Sequence, residues 1–512
     1  MPFTYNSPFN GKNFSQKILL GILLSGAAAY GGTGVDCTNN SADPGAIQAA
    51  INAGGTVTVN NTCALGATTI QVNNSVTVNG NATFNSNAQY AFSVNADNVS
   101  FSGLTFNGAG LSLRKSSTQS GFLFKGNHIQ NTHGRDGIDV DGVLTSSVID
   151  SNTFYYIAPD NFLSANYTSI GFPGCYRDNS CTVPGVGISI FGGMDQTSIT
   201  NNSFDVIAND AVHAGWNHIG AHSRYTLTKN NSISYNTMSQ VHRIGLEIQA
   251  IWGWPGCGVA GEELCDVGPD YSTNTQIKGN YFHDPFLAYV DTYAYSLALW
   301  GDGQYINNAG IENIAGSCSA GYGIEDMGNN VLTQGNVIAS DYLAGCSPHG
   351  WASPIVYGSE RASAMFTTQN NVFCGDLNMT NAYGHEPNVG GKEANQYNVL
   401  ANSCPNAGQL TTSAISMSFG ETSASPGTST VNVGAVSALP LKYVQFFVDG
   451  SSSPVVTQEV QDVNPNFESD LKWLYHATFN ASTTGAGNHT VLVVATDVSG
   501  ATKSMTQNFT IG

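Results

Sequence analysis

The sequence predicts an all-β protein in two parts: a long solenoid of short strands over residues 36–408, then a small β-sandwich over 411–512. Three observations predict it. Charged residues are only 10% of the 512, well under the usual quarter, and Gly (58 residues), Asn, Ser and Thr take their place; such a composition suits short strands joined by many turns and does not suit helices. A short motif built around an asparagine returns seven times between residues 122 and 373. After about residue 410 the pattern changes to longer strands of alternating hydrophobicity.

The chain opens with Lys12 and Lys17, an apolar run from Ile18, and then Ala27-Ala28-Ala29. That is the layout of a secretory signal peptide over residues 1–29, so an exported, extracellular protein is expected. The run is short for a membrane span and no later stretch is apolar enough for one, so no membrane insertion is expected. The formal net charge is −19, with 16 Lys+Arg. Nucleic acid and anionic membranes require basic patches and are therefore not expected as partners. A strongly anionic polysaccharide is disfavoured for the same reason, unless metal ions neutralise it. The chain is expected to act as a monomer.

Next comes "ADPGAIQAAINAGG", which predicts a short amphipathic helix with Asp43 as N-cap, Pro44 in its first turn, and Ile47, Ala50 and Ile51 on one face. A helix there would cover the open end of a solenoid. The repeat follows, as "FLFKGNHI", "SVIDSNTF", "TSITNNSF", "NSISYNTM", "TQIKGNYF", "NVLTQGNVI" and "FTTQNNVF". Its asparagines are Asn127, Asn152, Asn202, Asn236, Asn280, Asn336 and Asn371, with Leu104 in the same slot of an earlier copy. Asn tolerates the left-handed backbone of a tight turn, and its amide can bond the Asn of the turn above. The pattern resembles the right-handed parallel β-helix (pectate-lyase-like) superfamily of secreted carbohydrate-active proteins, over roughly residues 45–405. The irregular spacing implies long insertions in some coils, on the binding face.

A second strand of each coil follows the Asn turn. Aligned by apolar positions, these strands are Ile138–Asp141, Ile188–Phe191, Val212–Ala214, Leu246–Gln249, Leu297–Trp300, Ile324–Asp326 and Ile355–Tyr357. Alternation turns their polar members outward, so Asp139, Asp141, His213, Glu247 and Glu325 form one column of acid/base groups. Trp252, Trp254, Trp300, Tyr357 and Arg243 lie close to it in sequence and are candidates to hold substrate. Carboxylates flanked by aromatics suit glycan cleavage, in which one acid protonates the leaving oxygen and another activates water or attacks the sugar. The expectation is a glycoside hydrolase acting on a neutral or weakly charged extracellular polysaccharide. A polysaccharide lyase working on a uronate, with His213, Lys229 or Arg243 as base, is the second reading, and a non-enzymatic glycan-binding surface protein the third. The residue patterns that mark polygalacturonases and pectate lyases are not found, so no catalytic residue carries over from the resemblance.

No cofactor is expected and no zinc-type Cys/His spacing occurs, although Asp136, Asp139 and Asp141 in "RDGIDVDG" could hold Ca²⁺. Ten cysteines fall into neighbouring pairs, Cys37/Cys63, Cys175/Cys181, Cys257/Cys265, Cys318/Cys346 and Cys374/Cys404, which in an exported chain suggests disulfides. The last hundred residues, with Asp-Gly and Ser-Gly turns between alternating strands, look like a bacterial immunoglobulin-like module, expected to be a spacer or binding appendage without catalytic groups.

Overall fold

The computed structural model describes residues 32–114, 118–160, 162, 185–215, 227–241, 244–249, 272–283, 297–300, 303–306, 308–312, 324–326, 330–340, 355–357, 365–375, 383–385, 392–401, 415–420, 423–425, 428–437, 439–459, 473–481 and 485–511. The predicted signal peptide lies outside them. No helix among the described residues is long and apolar enough to cross a membrane.

The first part is a right-handed parallel β-helix. Among the described residues its strands stack into three long parallel sheets of 13, 12 and 11 strands, with a five-stranded sheet along part of the length. One coil shows the plan: Leu123–Lys125 in the first sheet, His128–Gln130 in the second, Ile138–Val140 in the third, Val143–Thr145 in the short sheet, then Val148–Asp150 one level up in the first. Among the described residues the interior of the early coils is apolar, with Phe84, Phe92, Phe101, Phe106, Phe122 and Phe124 filling it and Phe154 stacked on Phe204 at 4.7 Å, while Thr333 and Thr368 are buried on the first sheet of later coils. Gly137 and Gly187 let those last two rings in. A Cβ on either would meet the adjacent ring at 2.9 Å and a carbonyl oxygen at 2.6 or 2.4 Å.

The predicted asparagines stack at the corner between the first and second sheets. Each side-chain amide donates to the Oδ1 of the next, from Asn127 to Asn152 at 3.2 Å and on through Asn202, Asn236 and Asn280. Each also donates to a backbone carbonyl, as Asn202 does to Ile149 at 2.9 Å. The ladder contains two members the motif did not reveal, Asn308 and Asn398. The left-handed residue is not the ladder Asn but the one before it: Gly126, Ser151, Asn201, Tyr235, Gly279, Gly335, Asn370 and Tyr397 all have φ between 54° and 69°. Asn is there for its two-sided amide, and the backbone strain falls on its neighbour.

The cap helix runs Asp43–Ala53 and buries Ile47, Ala50 and Ile51 as expected. Asp43, however, lies inside the helix, with Ala42 as N-cap. Its carboxylate instead accepts the backbone N–H groups of Thr38, Asn40 and Ala64, each at 3.0 Å, tying the cap to the first coil. Burial works to raise its pKa, but those three donors bring it below the ordinary value. The Cys37–Cys63 disulfide closes the same end. Cys374 is also disulfide-bonded, and no cysteine among the described residues is free. The other predicted pairings involve residues outside those described.

The C-terminal part is two antiparallel four-stranded sheets, built around the pairs Thr428–Ser437 with Trp473–Asn480 and Leu441–Val448 with Gly487–Asp497. They fit an immunoglobulin-like sandwich. The module does not hang free. Tyr281, Val337 and Val372 alternate with inward Phe282, Ile338 and Phe373 on the second sheet, so they face outward, yet all three are buried in one apolar cluster with module residues such as Leu441 and Val444. Tyr235 meets Tyr443 with ring centroids 6.2 Å apart, and Lys278 pairs with Glu459. Deleting residues 411–512 uncovers this strip. Since burying a large apolar side chain is worth about 1.5–3 kcal/mol, the truncated solenoid is expected to melt several degrees lower and to self-associate in light scattering. Activity per folded molecule should be retained, and an unchanged melting temperature would show that the contact contributes little.

Candidate active site on the third sheet

The register of the third sheet sets its outward row: Ser93, Ser112, Asp139, Ser189, His213, Glu247, Ala298, Glu325 and Val356 pair in turn from coil to coil. The structure thus brings Asp139, His213, Glu247 and Glu325 into one column, with His213 directly beside Glu247 and Glu325 two strands beyond. Asp141 lies one residue past its strand. Trp300 pairs with Gln249, in the same alternation as Glu247, but Tyr357 falls in the row of Ile248, which lines the core, so the register takes it off the face where it was expected. Arg243, Trp252 and Trp254 lie outside the described residues.

The column is not a wet face. Ser112, Asp139, Ser189, His213 and Glu247 are all buried, none more than 6% exposed. Outward from the coil therefore does not mean outward to water here. That changes the energetics, because a buried ionisable group costs free energy unless it is bonded to a partner.

His213 and Glu247 are joined by a residue the sequence reading passed over. Asp210 lies three residues before His213, ahead of the strand Val212–Ala214, and is fully buried. The Nδ1–H of His213 donates to Asp210 Oδ2 at 2.7 Å and lies 3.4 Å from Glu247 Oε2. Asp210 Oδ1 accepts the backbone N–H of Ile244 at 3.1 Å, in the coil that carries Glu247. The three groups form one compact cluster, with ligand atoms within 4.8 Å of one another. A signal for Asp210 existed. Asp136 stands three residues before Asp139 in the same way, and its Oδ1 accepts the N–H of Val186 at 2.9 Å.

The earlier coils hold a second group. Asp139 accepts from the hydroxyl of Tyr90 and from Arg114 at 3.0 Å, while Arg114 bonds Asp141 at 2.7 Å and lies 5.0 Å over the Tyr90 ring. One guanidinium therefore bridges the two aspartates that were candidates for an acid–base pair and, with Asp136, for Ca²⁺. Positive charge is already present between them. Burial raises the pKa of Asp139, and it raises that of Tyr90, which the Asp139 charge raises further.

Asp136 is half-buried as a residue, but its carboxyl is enclosed, and that desolvation, together with the Asp139 charge, pushes it up to about 7 against its backbone bonds. The folded chain thus keeps a proton that the unfolded chain loses near pH 4, so this contribution to stability is present below about pH 4 and lost as pH rises to 7. Asp136→Asn cannot titrate. Its unfolding free energy relative to wild type, read by chemical denaturation, should rise from pH 5 to pH 8, on the order of 1 kcal/mol per pH unit up to about pH 7; a constant difference would contradict the assignment.

No protein-family model matches the sequence, and neither does any curated protein. Among solved structures, a mutant tailspike protein of E. coli bacteriophage HK620 is similar over 93% of this chain and 90% of its own, at 11% identity and a TM-score of 0.36. A second mutant of that tailspike, in complex with a hexasaccharide, matches over the same shares at 12% identity and a TM-score of 0.32. At these values neither likeness bears on what the chain does, and the assignment as a parallel β-helix rests on its own sheets and register.

Proposed function

We propose that this protein is a glycan-cleaving enzyme, a glycoside hydrolase acting outside the cell on a neutral or weakly charged polysaccharide, with Glu247 as its acid/base carboxylate. The observation that carries the reading is the buried Asp210–His213–Glu247 cluster. The same row accepts Ser112, Ser189 and Ala298 in neighbouring coils, so stacking the coils does not require ionisable groups at 213 and 247. Burying three of them side by side is a cost that a purely structural solenoid has no reason to bear.

In this reading Glu247 gives its proton to the departing glycosidic oxygen. Asp210 fixes the His213 ring, and the ring holds Glu247. Glu325, two strands on, is the second carboxylate. At about 4.8 Å per strand the two backbone positions are about 9.6 Å apart, just beyond the roughly 6.5–9.5 Å between carboxyl groups that leaves room for an attacking water and inverts the anomeric centre, so the two side chains have to lean together slightly. Trp252, Trp254 and Trp300 would supply stacking faces for sugar rings, and Arg243 a hydrogen-bond donor.

A lyase on a uronate would need a cation to neutralise the substrate carboxylate. Arg114, on the same face, is engaged by Asp139 and Asp141, which weighs against that reading. The test is a panel of polysaccharides assayed for new reducing ends and for ultraviolet absorbance. Reducing ends without absorbance support hydrolysis, absorbing unsaturated ends point to a lyase, and binding without products points to a glycan-binding protein.

A further inference from the structure

Asp210, His213 and Glu247 offer one nitrogen and two carboxylate oxygens on a rigid frame. Two of the donors sit on adjacent parallel strands in fixed register, and the third is held through Ile244. A zinc ion takes nitrogen and oxygen donors at about 2.0–2.2 Å in a tetrahedron, whose neighbouring donors are then about 3.4 Å apart. His213 Nδ1 and Glu247 Oε2 stand 3.4 Å apart. Asp210 Oδ2, now 2.7 Å from the same nitrogen, has to draw back by about 0.6–0.7 Å to complete the face, within reach of a small rotation of its carboxylate. Hard cations are a poor match: Ca²⁺ takes six to eight oxygen ligands and Mg²⁺ a near-ideal octahedron of them, whereas an imidazole with two carboxylates suits a borderline transition ion.

We propose that this cluster binds one zinc-type divalent cation, which takes the place of the proton on His213 Nδ1 while the neutral ring carries its proton on Nε2, and that the bound cation stops glycan cleavage by engaging Glu247 as a ligand. The inhibitory half rests on the glycan-cleaving reading. The binding half does not. With the cation in place, the Glu247 oxygen that would face the glycosidic bond is directed at the metal, and the enzyme is silenced without any change of fold.

The test is calorimetric titration of the chelator-treated full chain with zinc chloride, alongside Glu247→Gln and His213→Gln, each checked for native circular dichroism. Wild type is expected to take up one saturable equivalent that raises its melting temperature and persists in excess Mg²⁺, and both variants to lose that equivalent. Two variants at different ligands guard against a single folding failure. Absence of that equivalent in wild type, or its retention in both folded variants, overturns the site. Cleavage that continues at full rate with the equivalent bound overturns the inhibitory half. Zinc binding by a chain that cleaves no polysaccharide leaves the site standing and refutes the hydrolase reading instead.

Discussion

Glu247→Gln is expected to lower turnover by about 10²–10⁴-fold, the usual worth of general acid–base assistance. Glutamine keeps the shape and the hydrogen-bonding reach of the side chain but has no proton to lend at neutral pH. His213 retains its 2.7 Å bond to Asp210, so the row stays packed and the melting temperature should move by only a few degrees. Steady-state rates measured beside a thermal melt separate the outcomes. Lost turnover with a collapsed melt would make Glu247 a structural residue. Near-wild-type turnover would remove it from the chemistry and shift attention to Asp139 and Asp141, although their shared bond to Arg114 leaves them less free to exchange protons.

Asn202→Ala is expected to produce the largest loss of stability of any single change discussed here, about 3 kcal/mol or more. The Asn202 amide accepts from the backbone and side-chain nitrogens of Asn152, both at 2.9 Å, and donates to Ile149 O and Asn236 Oδ1. All these groups are buried in the stack, and each left without a partner costs about 1–3 kcal/mol. Ser151→Gly, one residue before a ladder position and at φ 59°, should by contrast be neutral or slightly stabilising, because glycine adopts that backbone without strain. Chemical denaturation of the two variants measures both. An Asn202→Ala protein within 1 kcal/mol of wild type, taking about 1 kcal/mol as the worth of a single hydrogen bond, would mean that the ladder follows the fold rather than supporting it.

The coil repeat was legible because its demands are local: an inward apolar residue, a turn, an asparagine and another inward apolar residue. It failed where one of those slots is atypical. Asn308 was missed because Gly310 occupies the inward position that Ile338 fills in the next coil, and Asn398 because charged Glu393 stands in line with inward Phe366 at the end of the solenoid. The third-sheet strands and the His213–Glu247–Glu325 spacing were equally legible, since alternation and stacking fix them once the coils are aligned. Exposure was not. Period-two patterning says which side of the coil a residue faces, but not whether other parts of the molecule cover that side, and so the outward column carried no sign of its burial. Asp210 escaped for a related reason. It sits in the turn ahead of the strand, where no periodicity applies, and only its parallel with Asp136 marks it. Likewise Tyr90 and Arg114 are brought to Asp139 by coil stacking across 49 and 25 residues, a relation with no local signature.

Glu247 is proposed to cleave glycans by proton transfer from the buried cluster on the third sheet. The most direct measurement is the release of reducing ends from a panel of neutral polysaccharides by the full chain and by Glu247→Gln, at matched concentrations of folded protein. The account predicts that at least one polysaccharide yields new reducing ends without ultraviolet-absorbing products, and that Glu247→Gln releases them at least about 10²-fold more slowly while melting within a few degrees of wild type. Equal release by the two proteins, or no release from any polysaccharide by the wild type, would contradict it.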